Sequence, residues 1–139
     1  MSLTVSQYID THRERFLQEL FSLLRLPSIS ADPTYSREVM NTANAVAEFL
    51  TKAGATGVKI HPTAGHPIVY GEKIISSTAP TVLVYGHYDV QPADPIDLWQ
   101  SPPFDPQIRD GNIYARGMKS LATRYPLSPS TRTSSMSLL

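Results

Sequence analysis

The sequence has 139 residues, 41% of them hydrophobic, which is enough for one domain with a core. Twelve Lys and Arg balance twelve Asp and Glu, so no overall field selects nucleic acid or an anionic membrane, and neither is expected as a partner. Cysteine is absent, which excludes disulfides and thiolate metal sites together and leaves His, Asp and Glu to hold any metal. The opening residues lack the basic start and apolar centre of a signal peptide, and no run reaches membrane-spanning length. A cytoplasmic protein is expected.

Residues 4–26 carry Val5, Ile9, Phe16, Leu20, Leu23 and Leu24 at three- and four-residue steps, with Arg13, Glu14, Gln18 and Glu19 over much of the opposite face. This spacing predicts an amphipathic helix. Thr4 followed by Gln7 is a capping-box pair, and Pro27 ends the helix because the residue before a proline is pushed out of the helical region. After a polar connection over 28–34, residues 36–53 predict a second helix with Val39, Ala43, Val46, Ala47 and Leu50 on one face and Gly54 as a left-handed stop.

Beyond Gly57 the pattern changes to short β-type runs at 58–60, 68–70 and 81–85. The last is apolar on both faces, which predicts a strand buried at the centre of a sheet. Residues 92–106 are rich in Pro and Asp and are expected to be irregular, tacked down by Trp99 and Phe104. Next, 107–109 and 112–114 flank Asp110-Gly111, a hairpin signal because both turn positions need positive φ. The final 22 residues hold nine Ser or Thr, three basic residues and no acid. Such a segment buries too little apolar area to offset its ordering entropy and is expected to be disordered. The expected organisation is a folded unit over 1–117 and a Ser/Thr-rich tail over 118–139.

The chemistry concentrates at His87-Tyr88-Asp89, just past the 81–85 run. In open α/β sheets, ligands gather beyond the carboxyl ends of strands, where a His following Gly86 is presented to a cleft. Imidazole is a good zinc ligand, and a carboxylate two residues on can orient it. A His-x-Asp tripeptide alone is more often structural than metal-binding, so both readings stand at this point. His12, His61 and His66 are read as ordinary surface or structural histidines. Trp99, Pro102, Pro103 and Phe104 are read as packing on their own domain rather than as a peptide surface. Arg116 has two readings, as a fork donor to a substrate carboxylate or as a structural donor. The three cations of the tail are too scattered for a nucleic-acid arm.

The run Val82-Leu83-Val84-Tyr85-Gly86-His87-Tyr88-Asp89-Val90-Gln91-Pro92 is followed by Leu98-Trp99, Ser101-Pro102-Pro103-Phe104, Ile108-Arg109-Asp110-Gly111 and Tyr114-Ala115-Arg116-Gly117. Together they closely resemble the zinc-dependent exopeptidases that include carnosinase-like dipeptidases, acetylornithine deacetylase, succinyl-diaminopimelate desuccinylase and glutamate carboxypeptidase. The Gly-His-Tyr-Asp-Val-Gln-Pro stretch is most similar to the dipeptidase branch, and Leu24-Arg25-Leu26-Pro27-Ser28-Ile29-Ser30 resembles the family's opening stretch. The resemblance implies an α/β fold: the N-terminal part of a two-zinc catalytic domain, with two helices, then a mixed β-sheet, then the tail. It implies His87 as the first zinc ligand and Asp89 as the accompanying catalytic acid. The implied reaction is metal-assisted amide hydrolysis of dipeptides or N-acyl amino acids.

The sequence departs from the family after Arg116-Gly117. The family continues into Asp-Asp-Lys-Gly or a close variant, whose aspartate bridges the metals, whereas no Asp or Glu follows Asp110 here. The later Glu-Glu pair, the remaining carboxylate ligand, the distant His and the inserted dimerisation domain also have no counterpart. The expectation is therefore a chain that is inactive alone and holds zinc weakly. The alternatives are a non-catalytic remnant or binding fragment, or the frameshift product of a full-length dipeptidase. Reading the encoding DNA in another frame after Gly117 separates the last case.

Overall fold

The computed structural model describes residues 3–118, and the expected disordered tail lies outside the described residues apart from Met118. The predicted first helix is two helices, α1 (Val5–Thr11) and α2 (Arg13–Leu24). Thr4 and Gln7 form the capping box. The break falls at His12, where φ is −108° and ψ 12°. Its ring Nδ1–H donates to the Tyr8 carbonyl at 2.9 Å, and its backbone N–H is shared between the Tyr8 and Ile9 carbonyls. The side chain thus takes a helix carbonyl that regular continuation would give to a backbone N–H alone. Periodicity does not register such a break. Val5 and Ile9 are exposed, so the apolar stripe is covered only in α2.

Phe21 and Leu24 of α2 are buried against Ala115, with Leu20, Ile113 and Met118 packed around them. The third helix, α3 (Ser36–Lys52), follows a short 3-10 turn at Pro33–Tyr35. It buries Val39, Thr42 and Ala43, and the backbone leaves it through Gly54 at φ +83°. Strands β1 (Thr56–His61) and β2 (Ile68–Glu72) pair antiparallel with Lys59 opposite Tyr70 and His61 opposite Ile68, and α3 packs on both.

Residues 92–106 are irregular except for a 3-10 turn at Ile96–Leu98. Trp99 closes a loop within this segment: its Nε1–H donates to the Ala93 carbonyl at 2.7 Å. Strands β3 (Gln107–Arg109) and β4 (Asn112–Tyr114) then form the hairpin that Asp110-Gly111 predicted, with φ +49° and +74° at the two turn residues. Across it the Arg109 guanidinium lies 4.1 Å from the Tyr114 ring centre, a cation–π contact that couples the strands.

The α/β class holds, but its pairing is local. Among the described residues there are two separate two-stranded antiparallel sheets and one isolated parallel bridge, Ile29 to Val90. The expected buried central strand is not found. Residues 82–85 belong to no strand, and Val82, Leu83, Val84 and Tyr85 are 80%, 90%, 86% and 74% exposed. A strand is buried by neighbours on both edges and both faces, and β1–β4 pair only with one another. An apolar run states a demand for cover; it does not say that the covering strands lie in the same stretch of chain. Among the described residues no helix is long and apolar enough to cross a membrane.

Two outcomes follow from this packing. The backbone amides of 82–85 should exchange with deuterium at open-chain rates while the interior of α3 is protected; protection of 82–85 in the monomer would contradict the exposed arrangement. Gly117 sits at φ +93°, and a Cβ there would meet Leu24 Cδ2 and Val90 Cγ1 at 3.3 Å. Gly117→Ala should therefore cost about 1–3 kcal/mol, read as a lower urea midpoint.

Candidate active site

The site is built on the contact between residues 28–30 and 88–90. The Val90 N–H donates to the Ser28 carbonyl at 2.9 Å, and the buried Ser28 hydroxyl donates to the Tyr88 carbonyl at 2.7 Å. Ile29, 5% exposed, is buried at the same place. The α2 helix ends at Leu24, and the turn through Pro27 delivers these residues alongside the tripeptide. Gly117 packs its backbone against Leu24 and Val90, so three of the stretches that carry the family resemblance meet here.

Within this frame His87 and Asp89 are in direct contact, as the tripeptide spacing led us to expect. His87 Nδ1 lies 2.9 Å from the Asp89 backbone carbonyl and 3.2 Å from its Oδ1. Both partners accept only, so Nδ1 carries the proton and donates, and Nε2 is left with its lone pair. An imidazole in this tautomer, about half exposed, is prepared to donate Nε2 to a metal. Asp89 is held in turn: the Ser30 hydroxyl donates to its Oδ2 at 2.6 Å.

These contacts set the charge of Asp89. Partial burial pushes its carboxyl up, but the Ser30 hydroxyl, a backbone hydrogen bond, and the charge and hydrogen bond of His87 together outweigh burial and hold it below its ordinary value of 3.8. The Tyr88 phenol is pushed up by burial and by the Asp89 charge. Its hydroxyl donates to the Pro67 carbonyl.

The remaining sequence candidates stand apart from this pair. His61 packs edge-on against Tyr70, and His12 stacks near Tyr8 and Phe16. His66 reaches the edge of the site without joining it, since its Nε2–H donates to the Ser30 carbonyl at 2.9 Å. Arg116 is tied down through its backbone, whose N–H donates to the Pro103 carbonyl at 2.7 Å, and its guanidinium lies 5.8 Å from the Trp99 ring centre. Its Nε is buried and without a hydrogen-bond partner among the described residues.

For a metal, the donors present fit one ligand position, Nε2 of His87. Among the described residues no three His, Asp or Glu side chains come together as a metal site. Sequence reasoning missed Ser28, Ser30 and His66. The signal available was that Ser28 and Ser30 lie in the stretch resembling the family's opening, although nothing in that stretch links a hydroxyl to a carboxylate 59 residues away.

The known proteins that this chain is similar to include metallopeptidases. Residues 83–121 match the model of peptidase family M20/M25/M40, a match that runs past Gly117 to Leu121. The Cys-Gly metallodipeptidase of Schizosaccharomyces pombe is 34% identical over 121 residues, covering 80% of this chain and 25% of that protein. The human Beta-Ala-His dipeptidase is 34% identical over 125 residues, covering 81% of this chain and 25% of that protein. Among solved structures, a dipeptidase from Saccharomyces cerevisiae has a TM-score of 0.74 and 28% identity, covering 82% of this chain and 26% of that one. The chain spans about a quarter of the length of the curated relatives it matches.

The lowered Asp89 value fixes the sign of a pH effect. A carboxyl held below its unfolded value stabilises the fold above that value and loses the contribution as pH falls through the folded value. The stability difference between the native chain and Asp89→Asn should therefore be full at pH 6 and shrink below 3.8. Urea midpoints across this range check it; a difference that grows as the pH falls would reverse the assignment.

Proposed function

We propose that the chain, which matches the model of peptidase family M20/M25/M40 over residues 83–121, is a segment of a metallodipeptidase catalytic domain that contributes His87 as a metal ligand and Asp89 as the acid beside it. The observation that carries the reading is the paired hydrogen bond from His87 Nδ1–H to both acceptors of Asp89, which leaves Nε2 to the metal. The substrate class proposed is a dipeptide or N-acyl amino acid. It draws on relatives that act, by their names, on Cys-Gly and on β-Ala-His. Zinc is the metal proposed, and when bound it supplies Lewis-acid polarisation of the scissile carbonyl.

The residues of this chain have limited parts in that chemistry. His87 binds and Asp89 fixes its tautomer. Asp89 also adds negative charge beside the imidazole, which raises its strength as a donor. A zinc ion normally takes three or four protein donors. The rest of the shell and the general base would therefore come from outside the described residues. A second reading, a non-catalytic binding fragment, has one observation in its favour: the described residues bring no three metal donors together.

Two preparations distinguish these readings. The 139-residue chain, dialysed against zinc, should retain little metal and leave Cys-Gly and β-Ala-His uncleaved. Residues 1–117 grafted in place of the corresponding segment of the S. pombe relative should give a dipeptidase. In that graft His87→Ala should lower turnover about a thousandfold, roughly 4 kcal/mol of transition-state stabilisation. Two tightly held zinc ions and His87-dependent hydrolysis by the chain alone would overturn the claim that it is a segment. An active graft indifferent to His87→Ala would overturn the role of His87.

A further inference from the structure

Ser30 and His87 do not touch, yet a continuous set of contacts joins them. The Ser30 hydroxyl donates to Asp89 Oδ2 at 2.6 Å, and the other carboxylate oxygen, Oδ1, accepts from His87 Nδ1 at 3.2 Å. We propose that Ser30 is a positioning residue for His87: by holding one oxygen of Asp89 it fixes the rotamer of the carboxylate, and so the tautomer and direction of the imidazole. The inference rests on the reading of His87 as a metal ligand and deepens it.

Three features make Ser30 a suitable anchor. Its backbone is itself fixed, because its carbonyl accepts from His66 Nε2–H at 2.9 Å and it follows the bridged residue Ile29. The bond to Asp89 is short and charge-assisted, the stronger kind of hydrogen bond. Finally, Asp89 needs an external hold. On its other side His87 is exposed and preceded by Gly86, where an added Cβ would meet nothing within 4 Å, so the backbone just upstream of the ring is open. Without Ser30, the carboxylate is free to rotate about χ1 and χ2, and Nδ1 keeps only the Asp89 backbone carbonyl as a constant acceptor.

The test uses the 139-residue chain with 15N-labelled histidine, at a pH where the imidazoles are neutral. Long-range 15N–1H spectra separate the Nδ1–H and Nε2–H tautomers. The native chain should show His87 mainly as the Nδ1–H form and His66 as the Nε2–H form, since His66 donates from Nε2. Ser30→Ala should shift His87 toward a mixed population, and Ser30→Thr, which keeps the hydroxyl, should restore the native pattern. His66 is an internal control, because it bonds to the Ser30 backbone and should not move. Amide shifts of Ile29 and Val90 report whether the frame survives. If Ser30→Ala disturbs them, Ser30→Cys, close to the native size and with only a weak donor, replaces it, with a partial shift of His87 in the same direction.

Zinc titration of the graft described above, read as metal retained per chain, provides the second arm. Ser30→Ala should weaken the binding about tenfold, the lower end of the effect expected for a residue that orients a ligand. An unchanged His87 tautomer in Ser30→Ala with the frame intact would overturn the proposal. A shifted tautomer in the chain, with zinc retention by the graft indifferent to His87→Ala, would support Ser30's hold on the ring and overturn the ligand reading on which it builds.

Discussion

The pairing of residues 28–30 with 88–90 joins parts of the chain that nothing else in the local sequence would bring together. Closing a connection of about 60 residues costs loop entropy. That cost is met by two short hydrogen bonds, by burial of Ile29 and Ser28, and by the packing of Gly117 against Val90. Ser28 contributes twice, through its carbonyl to the Val90 amide and through its hydroxyl to the Tyr88 carbonyl. Because the Ser28 side chain is nearly fully buried, removing its hydroxyl would leave a carbonyl unpaired as well as a bond unmade.

The site inherits its order from this pairing. Tyr88 and Val90 are held by their backbones, so Asp89 between them projects toward Ser30, and His87 folds back onto Asp89. A second tie reaches the same place from the β1–β2 connection. The Tyr88 hydroxyl donates to Pro67, and His66 donates to Ser30. The loop between the strands thus clasps the two segments that form the site. Its sequence, with Pro62, Gly65 and Pro67 spaced among polar residues, gives no hint of that function.

Where interactions are local, the sequence states them. Thr4 and Gln7 form their capping box, α3 buries the face its spacing marks out, and Asp110-Gly111 takes the two positive φ values a tight hairpin needs. His87 and Asp89, two residues apart, are in contact as their spacing suggests. Contacts that depend on distant residues were not legible. The bond from Ser30 to Asp89 crosses 59 residues, and the bond from His66 to Ser30 crosses 36. The exposed 82–85 run is the converse case. Its composition predicts burial and the run is exposed, because burial is a property of the partners and no described strand pairs with it.

That exposed run and the ordered tripeptide are adjacent, and the contrast between them says how the imidazole is held. Upstream of His87 the chain has no strand pairing through 82–86, while downstream it is locked by the bridge at Val90. His87 therefore derives its orientation from its C-terminal side: from the Asp89 carbonyl, the Asp89 carboxylate, and through it Ser30. An imidazole held from one side has a set direction but retains freedom along the unsupported one. Strands added beside 82–85 would remove that freedom without touching the imidazole, because they would fix the backbone that carries it. Burial of this apolar run and precision at the imidazole would then be two consequences of one event, the completion of the sheet around it.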